Sequence, residues 1–253
     1  MHTMERIIRT NSPGVVLLQD CRVREIDKDT MLRTVGAAFP EYSFALACRT
    51  QQAHRMRRAP NRGKHHTRYY PISVAIMVHR SCGTMTIQKG SDGTPSRHQG
   101  RMLTACVTPT VKGAKAFHAT SYYAPTAEAS EEQVSCFTAL GHHLRSSISQ
   151  GYVHIVGGDY NASLFPDTRC GYTDSAYKRK LAAADRRFRR FVTQDIFLNR
   201  WWGADVQHGL FSWRGGQGSK RARLDEILVL NPTMLDPDPC IRKALGKGYT
   251  LRT

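Results

Sequence analysis

The sequence predicts a layered α/β (α+β) protein of strands flanked by helices, and three observations carry that expectation. Short apolar runs bounded by Gly, Pro, Ser and Asn recur along the chain, as strands do. Two longer segments space their apolar residues by three and four, as helices do. At 253 residues the chain is long enough for one large domain, and it is read as a single domain over 1–253.

The elements follow in order. Met4 to Thr10 suits a short helix, broken by Asn11, Pro13 and Gly14. Val15-Val16-Leu17-Leu18 is a compact apolar run ending at Gln19-Asp20, the pattern of a strand buried on both faces. Residues 49–68 show no apolar periodicity and are read as an inserted basic loop or ragged hairpin. Strands are expected at Ile72–Val78, Thr84–Gln88, Met102–Thr108 and Ala116–Tyr123, separated by turn residues as antiparallel neighbours need. A helix starts at Ser130, with Gln133 as its capping-box partner and Val134, Phe137, Leu140, Leu144 and Ile148 as its apolar face. Tyr152–Val156 is the next strand, opening into Gly157-Gly158-Asp159-Tyr160-Asn161. A second helix turns Tyr177, Leu181, Phe188, Phe191 and Val192 inward. Its other face shows Lys178, Arg179, Lys180, Arg186, Arg187, Arg189 and Arg190. Short strands around Phe211–Trp213 and over Leu224–Leu230 close the pattern, and 231–253 is an irregular C-terminal tail.

Charge narrows the function. Lys plus Arg outnumber Asp plus Glu by 37 to 20, a net charge of +17. Such a chain attracts polyanions, and nucleic acid is the commonest of these. From Tyr42 to Ser91 there is no acidic residue at all. Arg55, Arg57, Arg58, Arg62 and Lys64 in that stretch, with Arg186 and Arg190 on the second helix, are the candidate nucleic-acid contacts. A solvated charged surface explains either patch equally well taken alone. No apolar run reaches the roughly 18 residues of a membrane span. Met1–Thr10 has no apolar stretch, so no signal peptide is expected. The Cys residues at 21, 48, 82, 106, 136, 170 and 240 form no CxxC pair, which points to reduced thiols in an intracellular protein.

Three carboxylates sit at or in strands. Asp20 closes one apolar run, Asp159 follows another and Asp225 lies within a third. Ionised carboxylates there are costly unless a cation or hydrogen bonds compensate them. Each alone fits a turn or a cap; together they would suit Mg²⁺, or Mn²⁺, which takes carboxylates plus water and substrate phosphates.

Their sequence contexts, in chain order, are Leu17-Leu18-Gln19-Asp20, Tyr123-Ala124-Pro125, Gly157-Gly158-Asp159-Tyr160-Asn161-Ala162, Phe211-Ser212-Trp213 and Arg223-Leu224-Asp225-Glu226-Ile227-Leu228. In this order the chain resembles the endonuclease/exonuclease/phosphatase family, which includes apurinic-site and retroelement endonucleases, DNase-I-like nucleases and inositol-phosphate phosphatases. The resemblance implies a DNase-I-like fold, a two-layer β-sandwich of mixed sheets flanked by helices. It implies that Asp20 and Asp225 hold the divalent metal, with Asp20 where the family usually has Glu. Asp159 would orient or deprotonate the attacking water. Asn161 and the Tyr123 hydroxyl would bind the scissile phosphate, and Asp225 could instead fix a catalytic His. Trp213 reads as core packing.

Two family features are missing from the sequence. The family opens with a strand ending in Asn, and closes with a Ser-Asp-His or similar whose His is central to catalysis. No His follows His208 here and no Asp-His pair occurs, so the fold is expected to lack its first and last strands. His65-His66 and His142-His143 are read as solvent-facing. Three functions remain: a metal-dependent nuclease impaired by the missing groups, an inactive nucleic-acid-binding remnant, and a phosphatase of inositol phosphates or lipid headgroups. The nuclease reading favours DNA over RNA, a nuclear rather than cytoplasmic location, and a place in a longer polyprotein with reverse transcriptase.

Overall fold

The computed structural model describes residues 2–50, 71–88, 98–163, 169–170, 175–192, 213–214, 221–222 and 225–230. The basic-loop residues Arg55, Arg57, Arg58, Arg62 and Lys64, the His65-His66 pair and the tail 231–253 lie outside that set. Backbone contacts divide the chain into two compact units, Met1–Ser121 and Tyr122–Thr253.

The first unit opens with helix α1 (His2–Asn11), stopped where Ser12 turns into the left-handed region at φ 40°. Strand β1 (Val15–Leu18) matches its expected bounds, but all four residues are half-buried, not buried on both faces, because β1 lies at the edge of its sheet; helix α2 (Lys28–Ala38) follows. Strands β2 (Tyr42–Cys48) and β3 (Ser73–His79) form a hairpin, and the antiparallel order is β1-β3-β2. Its closing pair is Cys48 against Ser73, and the Arg49 amide donates to Ile72 O at 2.9 Å. Both ends of the 49–72 connection are thereby pinned. Arg49 itself is buried, so the inserted segment does not begin as the exposed chain that its composition suggests.

Val74 to Val78 are wholly buried because β3 has a partner on each face. On one side, Met77 joins Ile8, Val35, Phe39 and Tyr42, while Ala75 joins Val23, Leu46 and Cys48. On the other, β3 lies against β5 (Met102–Pro109), which pairs with β4 (Gly83–Ile87). Two sheets thus pack face to face within this unit, the arrangement that alternating buried strands require. Next to β5 runs β6 (Phe117–Tyr123), whose last two residues open the second unit.

In the second unit β7 (Val153–Asp159) lies between the end of β6 and β11 (Asp225–Leu230). A small antiparallel set holds β8 (Arg169–Cys170), β10 (Arg221–Ala222) and β9 (Trp213–Arg214) in that order. Helices α3 (Ser130–Ser149) and α4 (Ser175–Arg190) flank the strands. Their shared core is aromatic: Phe137 stacks on Phe188 and Phe191, and Tyr160 stacks on Phe188 with centroids 4.3 Å apart.

Helix α3 corrects two expectations. No side-chain cap forms at its start; Gln133 is wholly buried and does structural work elsewhere. Val134 is half-exposed, because the buried stripe is Gln133, Cys136, Phe137, Leu140, Gly141, Leu144 and Ser147. A polar residue with three hydrogen bonds displaces an aliphatic neighbour from the interior, which apolar spacing alone cannot foresee. Among the described residues no helix is long and apolar enough to cross a membrane.

Candidate active site

Strand β7 must pass close to β6, and its sequence provides for that. A Cβ on Gly158 would stand 2.5 Å from the Tyr122 carbonyl oxygen, so only glycine fits. The strand then ends in a turn that is fixed atom by atom. The Asp159 carbonyl accepts the Ala124 amide at 2.8 Å, and its carboxylate Oδ1 accepts the Asn161 amide at 2.8 Å. Asn161 takes a left-handed φ of 48° and donates its side-chain Nδ2 to Ala124 O at 2.8 Å. Asn tolerates that backbone better than most residues do. Between them Tyr160 is driven into the aromatic core, against Tyr122 and Phe188. Burying Tyr160 leaves Asp159 and Asn161 half-buried at the C-terminal end of β7, one on each side of it.

The β7–β11 register sets Asp225 directly opposite Asp159. Tyr123, the last residue of β6, is half-buried and adjoins Ala124, through which both ends of the turn are tied. Of the candidate residues, the second unit therefore brings Tyr123, Asp159, Asn161 and Asp225 to one end of its sheet.

Asp20 lies in the first unit, just past β1. It has φ 49° and Arg22 has φ 55°, two non-glycine residues in the left-handed region around Cys21. Ser73 straps the segment down, its carbonyl accepting the Cys21 amide at 3.1 Å and its hydroxyl the Val23 amide at 2.9 Å. Burial first, then the neighbouring Asp20 carboxylate, push the Cys21 thiol up to about 12. The Asp20 Oδ2 accepts both Nε and Nη2 of Arg22 at 3.0 Å. Gln19 donates to Ser121 Oγ at 3.0 Å, and that hydroxyl donates to Leu18 O.

Among the described residues no group of three or more His, Cys, Asp or Glu is arranged to hold a metal ion. A hard divalent cation needs only one or two carboxylates, and the residue type at position 225, in the register place opposite Asp159, is one such donor. Asp20 fits less well, its carboxylate being engaged by a guanidinium.

Three further residues, Asp185, Arg187 and Gln133, support the turn, and the last two differ from the surface and capping roles that their positions suggest. Asp185 of α4 is buried, and its Oδ1 accepts the Ser163 amide at 2.7 Å. Arg187 is half-buried and donates Nε and Nη2 to Gln133 Oε1 at 3.0 and 2.8 Å. Gln133 in turn donates Nε2 to Pro125 O at 3.2 Å. Burial, then Arg186, pull the Arg187 guanidinium below its ordinary value. Arg187 is thus a clamp inside the unit, not part of the basic exposed face. Lys178, Arg179, Lys180, Arg186 and Arg190 do remain exposed on α4. Helical spacing held the signal for Asp185, which is four residues after Leu181 and three before Phe188 on the buried stripe. His142 is exposed as expected, whereas His143 is half-buried with its ring edge-on to His154, centroids 5.6 Å apart.

No family model matches the sequence, and no curated protein matches it. Solved structures do match its fold. The Xenopus laevis APE2 catalytic domain superposes with a TM-score of 0.62 at 15% identity, covering 92% of this chain and 79% of that one. The 3′ phosphatase NExo from Neisseria, bound to a product DNA hairpin, gives 0.60 at 14% identity over 92% of this chain and 82% of that one. The AP endonuclease LMAP from Leishmania major gives 0.59 at 13% identity, over 92% and 74% respectively. At such identities the likeness is one of fold. The chain therefore has the DNase-I-like α/β fold, its sheets flanked by helices, and its structural neighbours are endonuclease, exonuclease and phosphatase proteins, although the β1-β3-β2 sheet is antiparallel throughout rather than mixed.

Proposed function

We propose that this protein is a divalent-metal-dependent phosphodiester hydrolase acting on nucleic acid, with DNA preferred to RNA. The observation that carries the reading is the pair of aspartates opposite each other at the end of β7 and β11, beside an Asn locked at φ 48°. Asp225 would hold Mg²⁺ or Mn²⁺; Asp20, the other metal ligand that the resemblance implies, has its carboxylate on the Arg22 guanidinium. A bound divalent ion supplies Lewis-acid polarisation of a phosphoryl oxygen and neutralises charge there.

The chain's own groups supply the rest. Asp159 orients the attacking water and accepts its proton, and the Asn161 amide, donating to Oδ1, fixes how that carboxylate is turned. Asn161 and the Tyr123 hydroxyl donate toward the phosphate as charge develops, each such donor being worth about 10²–10³ in rate. Exposed Arg186 and Arg190, with Arg55, Arg57, Arg58, Arg62 and Lys64, grip the backbone without reading sequence. By resemblance alone, the motif order favours a retroelement-type endonuclease.

A second reading is a nucleic-acid-binding domain that no longer cuts. The sequence has no His after His208, and Asp20 is paired with Arg22. One experiment separates the two. Supercoiled plasmid is incubated with purified protein and Mg²⁺ or EDTA, and nicked product is followed beside a gel shift. Nicking that needs the metal supports the hydrolase; retention of DNA without nicking supports the binder.

A further inference from the structure

Helix α4 is unusually basic, and its lone carboxylate is placed against expectation. Asp185 stands between Arg186 and the Lys178–Lys180 run, where an exposed acid would pair with cations on the helix surface. Instead it is 5% exposed, in the stripe that also buries Leu181, Ala184 and Phe188. A leucine would fill that position without desolvating a charge, whereas a buried carboxylate is tolerated only where it is well hydrogen-bonded. What it holds is the Ser163 amide, at 2.7 Å.

Ser163 is the last described residue of the turn that begins at Asp159. The turn's other anchor is Ala124, which receives Asn161 Nδ2 and donates to Asp159 O. The residue after Ala124 is also tied to α4, since Pro125 O accepts from Gln133, whose Oε1 accepts from Arg187. Two side chains of α4, two residues apart, therefore hold both sides of the turn: Asp185 its C-terminal end, and Arg187, through Gln133, the strand end against which it is braced.

We propose that Asp185 is a positioning residue, setting the Asp159–Ser163 turn through the Ser163 amide so that Asp159 and Asn161 keep their geometry. Its consequence for catalysis rests on the hydrolase reading; its geometry does not. Because α4 also carries the exposed Arg186 and Arg190, the same helix would grip the substrate backbone and fix the catalytic turn. A misplacement of about 1 Å at such groups costs about 100-fold in rate.

The test combines amide hydrogen exchange over 159–163 with nicking kinetics, in the full chain. Three forms are compared: wild type, Asp185→Asn, which keeps an oxygen acceptor, and Asp185→Leu, which fills the volume without one. In wild type the Ser163 amide is expected to be strongly protected. Asp185→Leu should lose that protection and lower the nicking turnover about 10- to 100-fold, with the protein concentration that half-retains DNA unchanged. Asp185→Asn should restore both. If the Ser163 amide of wild type exchanges like that of an unstructured peptide, the assignment is wrong, and this holds even if Asp185→Leu does not fold. It is also wrong if Asp185→Leu keeps wild-type protection and turnover. Failure of wild type to nick at all defeats the hydrolase reading instead, and the exchange result still decides for or against Asp185.

Discussion

Two glycine-to-alanine substitutions should move stability in opposite directions, because the space around each glycine differs. A Cβ at Gly158 would lie 2.5 Å from Tyr122 O and 3.1 Å from Tyr122 Cβ. The oxygen belongs to backbone in the neighbouring strand, so no side chain can rotate away. Overpacking of this kind costs about 1–3 kcal/mol. At roughly 2–4 °C per kcal/mol for a chain of this size, Gly158→Ala should lower Tm by about 2–12 °C. Gly36 lies in α2 with nothing within 4 Å of its ideal Cβ. There Ala reduces the freedom of the unfolded chain and should stabilise by about 0.4–1 kcal/mol. Circular-dichroism melts of the two variants and wild type under one buffer give the comparison. Since Gly158 directly precedes Asp159, its replacement should also depress nicking, and Gly36→Ala should leave nicking unchanged. A Gly158→Ala protein that melts at or above wild type would refute the close β6–β7 approach and the placement of the turn that depends on it.

Other consequences can be checked separately. Burial lowers the His118 pKa, and Gln88 Nε2 donates to its Nε2 at 2.8 Å, which only the unprotonated nitrogen can accept. In the unfolded chain that His titrates near ~6.5. The unfolded state therefore binds more protons below that pH, so stability is unaffected above it and falls as the solution is acidified. Melts from pH 7.5 to 5.5 should show the fall, and His118→Gln should flatten it. Replacing Arg22 with Ala removes a partly exposed partner of Asp20, a type of pair worth about 0–1 kcal/mol. Mn²⁺ binding followed by electron paramagnetic resonance should tighten up to about fivefold, or stay unchanged if Asp20 is no ligand. Changing Arg186 and Arg190 together to Gln should weaken DNA retention and flatten its salt dependence by about two phosphate contacts. An unaltered slope would remove α4 from the interface.

Much of the fold was legible because burial leaves a pattern. Val15–Leu18 has four apolar residues between turn signals and is strand β1 with those bounds. The apolar residues Phe137, Leu140 and Leu144 marked α3, and Leu181 and Phe188 marked α4. Helix α2 and strand β2 went unread, although Met31, Leu32 and Val35 are spaced for a helix and Tyr42, Phe44, Leu46 and Cys48 alternate as in a strand. In β2 the small residues Ala45 and Ala47 between the larger ones blur that alternation.

The site was legible in part for a different reason. Asp159, Asn161 and Asp225 sit in short, unusual contexts, and the register of β7 with β11 sets Asp159 opposite Asp225, while their roles remain the proposal made from those contexts. The supporting residues carry no such mark. Gln133 resembles a capping residue and Arg187 one more surface cation, and only the packing of α3 against α4 turns them toward each other. The Asp20–Arg22 pair depends on two left-handed residues in a row of three, which spacing does not encode.

The central claim is that the carboxylate of Asp159 performs hydrolysis in a nucleic-acid hydrolase. Its most direct test is single-turnover cleavage of a fluorescent DNA duplex with Mg²⁺, comparing wild type with Asp159→Asn, with binding of the same duplex measured alongside. Asn keeps the oxygen that receives the Asn161 amide but cannot take a proton from water. The account predicts cleavage by wild type and a loss of about 100-fold or more in the variant, at unchanged affinity. Equal cleavage by both, or none by wild type at saturating protein and metal, would contradict it.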